Sequence, residues 1–330
     1  MAPPPATPLS NIVRLVPLQV GDLPPHPELP QDSSLSSGRP DLVTLVVALL
    51  DDGAAFLAPQ NFSTLFKHSS TKSTPSSASP VEVWTHSIPS SSINAIEWST
   101  GPVSRSRPRA VATEHWFARR SYHENVSSKD KERPSHASWD EFVFGLRDDH
   151  SKHEYDFTPA LYDARKVVDW NGEIAKLEKE GHLVGKEGKY SNCTVSIYEM
   201  CHAIPPPLNP RCFSVLVVTA NVDERSFIVV TVPVDLGNNV GAAFYSNGRN
   251  VKEGVDVQQR KQVVSGIYSA VETVKIDEKG KIEWVMATAS DAKGILPIWA
   301  QKMSIPGVIT KDVGYFLKWI RTVDDKDIQR

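Results

Sequence analysis

The sequence predicts an α+β fold in which a curved antiparallel sheet is closed by a C-terminal helix. Three observations carry this. The second half of the chain is a series of runs rich in Val, Ile, Thr and aromatics, joined by turn-like links; that composition suits strands on a pleated, half-buried surface. The last of these runs, from Ile282, passes through Asp291-Ala-Lys-Gly294-Ile-Leu-Pro297 into a Trp-bearing helical stretch. Beyond it, Val313, Phe316, Leu317 and Ile320 fall at i, i+3, i+4 and i+7, one continuous apolar stripe on a helix. A sheet and a helix folded over one another can leave an apolar cavity between them, which favours a binder of a greasy small molecule over a catalyst.

Taken in order, residues 1–40 are rich in Pro and Ser and lack periodicity, so they read as an arm, with Ile12, Val13, Leu15 and Val16 able to dock. Residues 41–330 read as a single domain with a helical N-terminal extension. Its first run, DLVTLVVALL (41–50), suits either a helix or a buried strand, because a short apolar run does not separate the two. FSTLFKH (62–68) is helical, and 69–80, SSTKSTPSSASP, is a flexible polar loop. Strands are expected at VEVWTHSI, INAIEWST and AVATEHWFARRSY. Ser138-Trp-Asp-Glu141 is a capping box, in which the serine oxygen takes the third amide and the glutamate reaches back. The helix it opens carries Trp139, Phe142, Val143 and Leu146. Thr158-Pro159 is read as another helix start, with Pro where its missing N–H costs nothing. Asn171 caps a third helix, which ends at Gly181.

Strands then follow at 192–204, 211–220, 225–236, 262–276 and 281–290. Links such as ANVDER and IDEKGK are short, as antiparallel neighbours require. The link 237–261 is long enough for a lid or a surface excursion. Pro233 suggests a sheet edge or a bulge. Pro306-Gly307 divides the C-terminal region into two helices. The second begins near Thr310, which puts Asp312 at the positive end of its dipole. Gly314 weakens that helix by roughly 1 kcal/mol relative to Ala, which marks close packing or mobility.

Composition limits the function. The chain has 330 residues, 40% hydrophobic and 23% charged, with net charge -3. That balance gives no reason to expect a nucleic-acid partner. No apolar run reaches the ~20 residues of a membrane helix. MAPPPATPLSNIVRL lacks the charged start and apolar core of a secretion signal, so a cytoplasmic or membrane-peripheral location is expected. Cys193, Cys201 and Cys212 suit buried thiols better than a zinc or disulfide framework. There is no G-x-S-x-G elbow, phosphate-binding glycine loop or H-E-x-x-H motif.

Pro210-Arg211-Cys-Phe213-Ser-Val resembles the Arg-Asp-Phe-Val strand opening of START domains, with Cys212 in place of the acid. Asp291-Ala-Lys-Gly294-Ile-Leu-Pro297 is similar to their Asp-x-Lys/Gly-Gly-x-Leu-Pro turn, and the terminal helix to their cavity lid. Residues of roughly 110–320 further resemble DUF3074, a fungal family of unknown function among START-like (SRPBCC) domains. Trp116-Phe-Ala-Arg119-Arg-Ser121-Tyr-His123, Ser138-Trp139-Asp-Glu-Phe142, Gly145-Leu146, His150 and His153-Glu154-Tyr155 carry the first half of that likeness. Pro205-Pro-Pro-Leu-Asn-Pro210-Arg211 and Ile282-Glu-Trp284-Val-Met-Ala-Thr-Ala-Ser-Asp291 carry the second. The resemblance implies a helix-grip fold. Its partner would be a hydrophobic small molecule, lipid or sterol-like, with transient membrane contact and no cofactor. The START pattern places a basic residue near where Val217 falls here, so no polar anchor for a sterol hydroxyl is expected on that strand.

Strand alternation sends Phe213, Val215 and Val217 to one face, and likewise Trp284, Met286 and Thr288. With Tyr268, and with Val313, Phe316, Leu317 and Ile320 from the closing helix, these form the expected cavity lining. A sterol-sized ligand burying on the order of 400 Å² would gain ~10 kcal/mol at 25 cal/mol per Å², of which lost rigid-body freedom takes back ~4 kcal/mol or more. Among the polar residues Arg119, Arg120, Ser121, His123, His150, His153 and Glu154, the alternative catalytic set is His123, His153 and Glu154. It would serve a START-like enzyme of cyclase or dehydratase type on a polyketide-like substrate. The plainer reading of the same residues is a solvated helix end with no metal. A protein–protein adaptor is a third possibility.

Overall fold

Alternation along the strands organises the whole molecule, because it gives the sheet two apolar faces. The computed structural model of the chain describes residues 10–31, 38–186, 188–238, 240–294 and 298–328, and of 298–302 the backbone alone. The strands are β1 (Leu18–Gln19), β2 (Lys67–Lys72), β3 (Val81–Ile88), β4 (Glu114–His123), β5 (Leu161–Asp169), β6 (Ser191–His202), β7 (Arg211–Asp223), β8 (Ser226–Asp235), β9 (Val264–Ile276) and β10 (Ile282–Asp291). They form one sheet in the order β2-β3-β4-β10-β9-β8-β7-β6-β5. Neighbours on this path are antiparallel, while β1 joins β8 in parallel.

The helices are α1 (Leu42–Leu57), α2 (Pro59–Leu65), α3 (Ser90–Asn94), α4 (Trp139–Phe142), α5 (His150–Phe157), α6 (Asn171–Lys179), α7 (Asn250–Glu253), α8 (Ile298–Ile320) and α9 (Asp325–Ile328). The outer sheet face, with Leu216, Val218, Ile228, Val230, Val271 and Ala287, packs under α1. Gly53 allows the close approach: a Cβ there would lie 2.6 Å from Val230 Cγ2. Asp41 caps α1, its carboxylate accepting the Thr44 amide. The inner face, with Val215, Val217, Val229 and Trp284, meets α4, the π turn Val143–Arg147, and α8. This is the α+β helix-grip fold: a long antiparallel sheet with its C-terminal helix laid across one side.

The N-terminal segment is docked over its described part. Ile12, Val13, Leu18, Leu23 and Leu29 are buried. Asn11 donates to the carbonyls of Trp98, Thr100 and Val103, and Arg105 donates to those of Asn11, Val16 and Pro17.

Several expectations are corrected. The segment 69–80 begins in the edge strand β2, and Thr74 is buried, so it is not simply a polar loop. INAIEWST is the end of α3 and turns, not a strand. Thr158-Pro159 starts no helix: Thr158 ends α5, and LYDARKVVD forms the edge strand β5, its backbone taken up by β6. Pro306 does not divide the C-terminal region, since α8 continues through it. The tertiary contacts of Ile305 and Ile309 with the sheet residues Val83, Phe117 and Met286 oppose the ~3 kcal/mol that Pro costs inside a helix. Pro233 lies beyond Thr231, the last β8 residue paired with β9, so its missing N–H costs no bond on that side. The link 237–261 is anchored in its first half and runs over the surface in its second, where Val255 and Val257 are exposed. Phe244 and Tyr245 are buried, and the Glu199 carboxylate accepts the amides of Phe244, Tyr245 and Ser246.

Two of the segments singled out in the sequence are one structural unit. The Arg211 guanidinium, at the start of β7, donates to the carbonyls of Ala292 (2.6 Å) and Lys293 (3.3 Å). It thereby ties the opening of β7 to the turn that leaves β10. Ile295, Leu296 and Pro297 of that turn lie outside the described residues.

Candidate ligand cavity

Between the inner sheet face and α8 lies a cavity of about 610 Å³, within the ~300–1,000 Å³ range of small-molecule sites. If it were dry, at about 24 cal/mol per Å³ it would cost on the order of 15 kcal/mol, as much as a whole domain's stability. The volume is therefore a site for solvent or ligand rather than a packing gap. Phe213, Val215 and Val217 of β7, Val229 of β8, and Trp284, Met286 and Thr288 of β10 form the floor. Met200 and His202 of β6 and Tyr268 of β9 extend it. Ile305, Val308, Ile309, Asp312 and Tyr315 of α8 form the roof, and Leu146 and Phe157 one side. Among the lining residues Pro159, Ala160 and Val308 are exposed, so the cavity opens to solvent there.

Phe213, Val215, Val217, Tyr268, Trp284 and Met286 thus border the cavity. Val313, Phe316, Leu317 and Ile320 do not. All four are fully buried in the packed part of the inner layer. Phe316 has its ring centre 5.0 Å from Phe142 and 5.3 Å from Trp284. The closing helix therefore has two functions along its length. Its C-terminal stripe is filled core, and the segment around Pro306 to Tyr315 roofs the open volume. Gly314 sits at the join, where a Cβ would run into the Pro75 carbonyl, so its helix-weakening cost marks close packing.

The polar residues divide in the same way. Arg120 faces outward to Glu82 and Trp84. His123 is buried against Phe142 and Trp284, with the Ser121 hydroxyl at 2.9 Å. Burial and the neighbouring His136 push its pKa down to about 3. His153 is wedged between Phe144 and Trp319, and burial lowers its pKa as well. Neither imidazole borders the cavity, whereas Glu154, His150 and Arg119 do. Among the described residues no His, Cys, Asp and Glu group is placed to hold a metal ion.

At the polar end of the cavity Arg119 and Glu272 form a buried ion pair of 3.0 Å. The guanidinium also lies over the Trp284 ring, 3.9 Å from its centre, and the Trp284 indole donates to Glu272 at 2.6 Å. As expected, the strand carrying Val217 brings no base to the cavity; the buried base there is Arg119 of β4. Its partner Glu272 and the roof carboxyl Asp312 were not expected in the site. Asp312 lies in the second half of α8, not at a helix start. Burial pushes its pKa up to about 7, with Arg119 opposing and Glu154 and Glu272 adding. Glu154 is raised by burial too; it borders the cavity while about a third of its side chain, 31%, stays exposed. Burial also drives His202 down to about 4. The three cysteines are free and buried.

Strand order and cavity together define a helix-grip protein with an open volume between its sheet and its C-terminal helix. The chain belongs to the DUF3074 family, described as a protein of unknown function, whose family model matches residues 116–320. Among curated proteins no sequence matches. Among solved structures it is similar to human StAR-related lipid transfer protein 5, with 11% identity, TM-score 0.47, and 83% of this chain and 96% of that one covered. It is likewise similar to human STARD10, at 13% identity and TM-score 0.42 over 79% and 80%. A STAR-related lipid transfer protein of Xanthomonas axonopodis gives 10% identity and TM-score 0.38 over 80% and 99%. At these identities and scores the likenesses add nothing to the fold read directly from the strand order.

Proposed function

We propose that this chain binds a hydrophobic small molecule, lipid or sterol-like, in the cavity beneath α8 and carries it between membranes inside the cell. The observation that supports this is a single one: an apolar floor and roof around about 610 Å³, a volume too large to be a packing defect. Met303 and Val308, exposed apolar residues on α8, suit transient contact with a membrane during loading. No single helix among the described residues is long and apolar enough to cross one.

Native mass spectrometry of the purified protein, followed by solvent extraction, tests the reading. A co-purified apolar molecule is expected, and Val217→Trp or Thr231→Trp, each filling the cavity from its floor, should expel it while the protein stays folded. The reading fails if nothing is bound and no apolar probe is displaced by these variants. The second reading is a START-like enzyme of cyclase or dehydratase type. It is favoured by Glu154 and Asp312, which both face the cavity. It requires turnover of a polyketide-like substrate that Glu154→Gln or Asp312→Asn abolishes and His153→Ala leaves intact.

A further inference from the structure

Resting on the cavity reading, we propose that Glu154 and Asp312 form a recognition pole for a cation, so that the bound molecule is an apolar amphiphile whose buried end carries a protonated amine. The charges facing the cavity decide this. Arg119 from β4 is already engaged by Glu272 from β9 and by the Trp284 face. Lys311 of α8 is exposed at the rim, and His202 of β6 is held neutral by burial. Tyr268 and Tyr315 contribute phenols, and burial keeps the Tyr268 phenol protonated. Glu154 has one possible cationic partner, His150 at 4.0 Å, and Glu272 adds like charge. Among the described residues the Asp312 side chain makes no hydrogen bond or ion pair, and only the Arg119 charge favours its ionised form. Two carboxyls from two helices therefore face one cavity without an ion pair to any lysine or arginine among the described residues, although the Arg119 charge acts on Asp312 from a distance.

A second, independent sign is that polar groups are left unmet in the same wall. Ser151 is 2% exposed, borders the cavity one helical turn from Glu154, and its Oγ has no partner. Arg119, equally buried, has Nε and Nη1 without one. Unmet buried groups of this kind call for a polar partner supplied from outside the chain. An ammonium brings three donors and no acceptor, the complement of the acceptors on Glu154, Asp312 and Ser151 that border the cavity. A hydroxyl on the carbon beside it would accept from Arg119. A carboxylate ligand would instead add like charge to the pole. Burial already holds both carboxyls above their usual range, Asp312 at about 7. An ammonium beside them favours their ionised form.

The test is calorimetric titration of the full chain with three probes of one chain length, tetradecylamine, tetradecanol and tetradecanoate, each below its aggregation threshold. At neutral pH the amine is expected to bind about tenfold or more tighter than tetradecanoate. Its affinity should rise from about pH 5.5 to about pH 8, as the carboxyls ionise while the amine stays protonated; that of tetradecanoate should fall. In the Asp312→Asn, Glu154→Gln double variant, checked for folding by near-UV circular dichroism, the preference should shrink to about twofold. Equal or tighter binding of tetradecanoate, or an amine preference that survives the double variant, overturns the proposal and leaves the cavity reading standing. The pH series on the unmodified protein decides the matter even where the variant folds poorly. Failure of all three probes to bind overturns the cavity reading and this proposal with it.

Discussion

Asp312→Asn should stabilise the protein, and more so as pH rises. In the folded chain burial holds this carboxyl at about 7, against 3.8 when unperturbed. At ~1.36 kcal/mol per pKa unit, that difference is a penalty of about 4 kcal/mol once the group is fully ionised. Water in the cavity screens the charge, which brings the expected effect nearer ~2 kcal/mol. Because the folded value lies above the unfolded one, the native state holds a proton that the unfolded chain has released. The penalty is therefore absent below the unfolded value, grows as pH climbs from about 4 to about 7, and is complete above that. An Asn of the same shape carries no charge to desolvate. Urea denaturation of both proteins at about pH 5 and about pH 8, followed by Trp fluorescence, should show the Asn variant gaining on the unmodified chain at the higher pH. A variant that is less stable, with no pH dependence in the difference, would refute the placement. That is the outcome expected of a carboxylate at an exposed helix start, where the dipole favours its ionised form.

Other perturbations probe the rest of the inner layer. Phe316→Ala removes a fully buried ring packed on Phe142 and Trp284. It should cost about 3–5 kcal/mol in denaturant unfolding. Gly314→Ala should destabilise by ~1–3 kcal/mol despite the better helix propensity of Ala, because the new methyl meets the Pro75 carbonyl; a stabilised variant would mean that this contact gives way easily. Arg211→Met removes the guanidinium donor from the carbonyls of Ala292 and Lys293. A loss of about 1–3 kcal/mol is expected, with faster hydrogen exchange confined to residues 291–294.

What was legible in the sequence is what depends on local periodicity. Strand alternation has a period of two set by the backbone itself. Naming Phe213, Val215 and Val217 as one face, and Trp284, Met286 and Thr288 as another, therefore needed no knowledge of the neighbours, and all six border the cavity. The Ser138 capping box is local as well, and it forms as its spacing predicts. Local signals also misled where distant partners outweighed them. Thr158-Pro159 looks like a helix start, but β6 was available to pair with the residues that follow. Pro306 looks like a break, but the packing of Ile305 and Ile309 on the sheet keeps α8 continuous. The apolar stripe Val313, Phe316, Leu317 and Ile320 was recognisable as buried; whether it faced a void or a filled core was not.

Of the polar end of the cavity, Arg119 and Glu154 stood out among the polar residues of the sequence, but their neighbours Glu272 and Asp312 did not. Arg119 and Glu272 are 153 residues apart in the chain and meet through the pairing of β4, β10 and β9. Glu154 and Asp312 come to one volume only because α5 and α8 cover the same stretch of sheet. Hydrophobic periodicity tells a residue which way to point, and that much the chain carries in its own order. Which charges share a low-dielectric space, and so which of them keep a proton, depends on contacts between distant segments, and only the folded structure decides it.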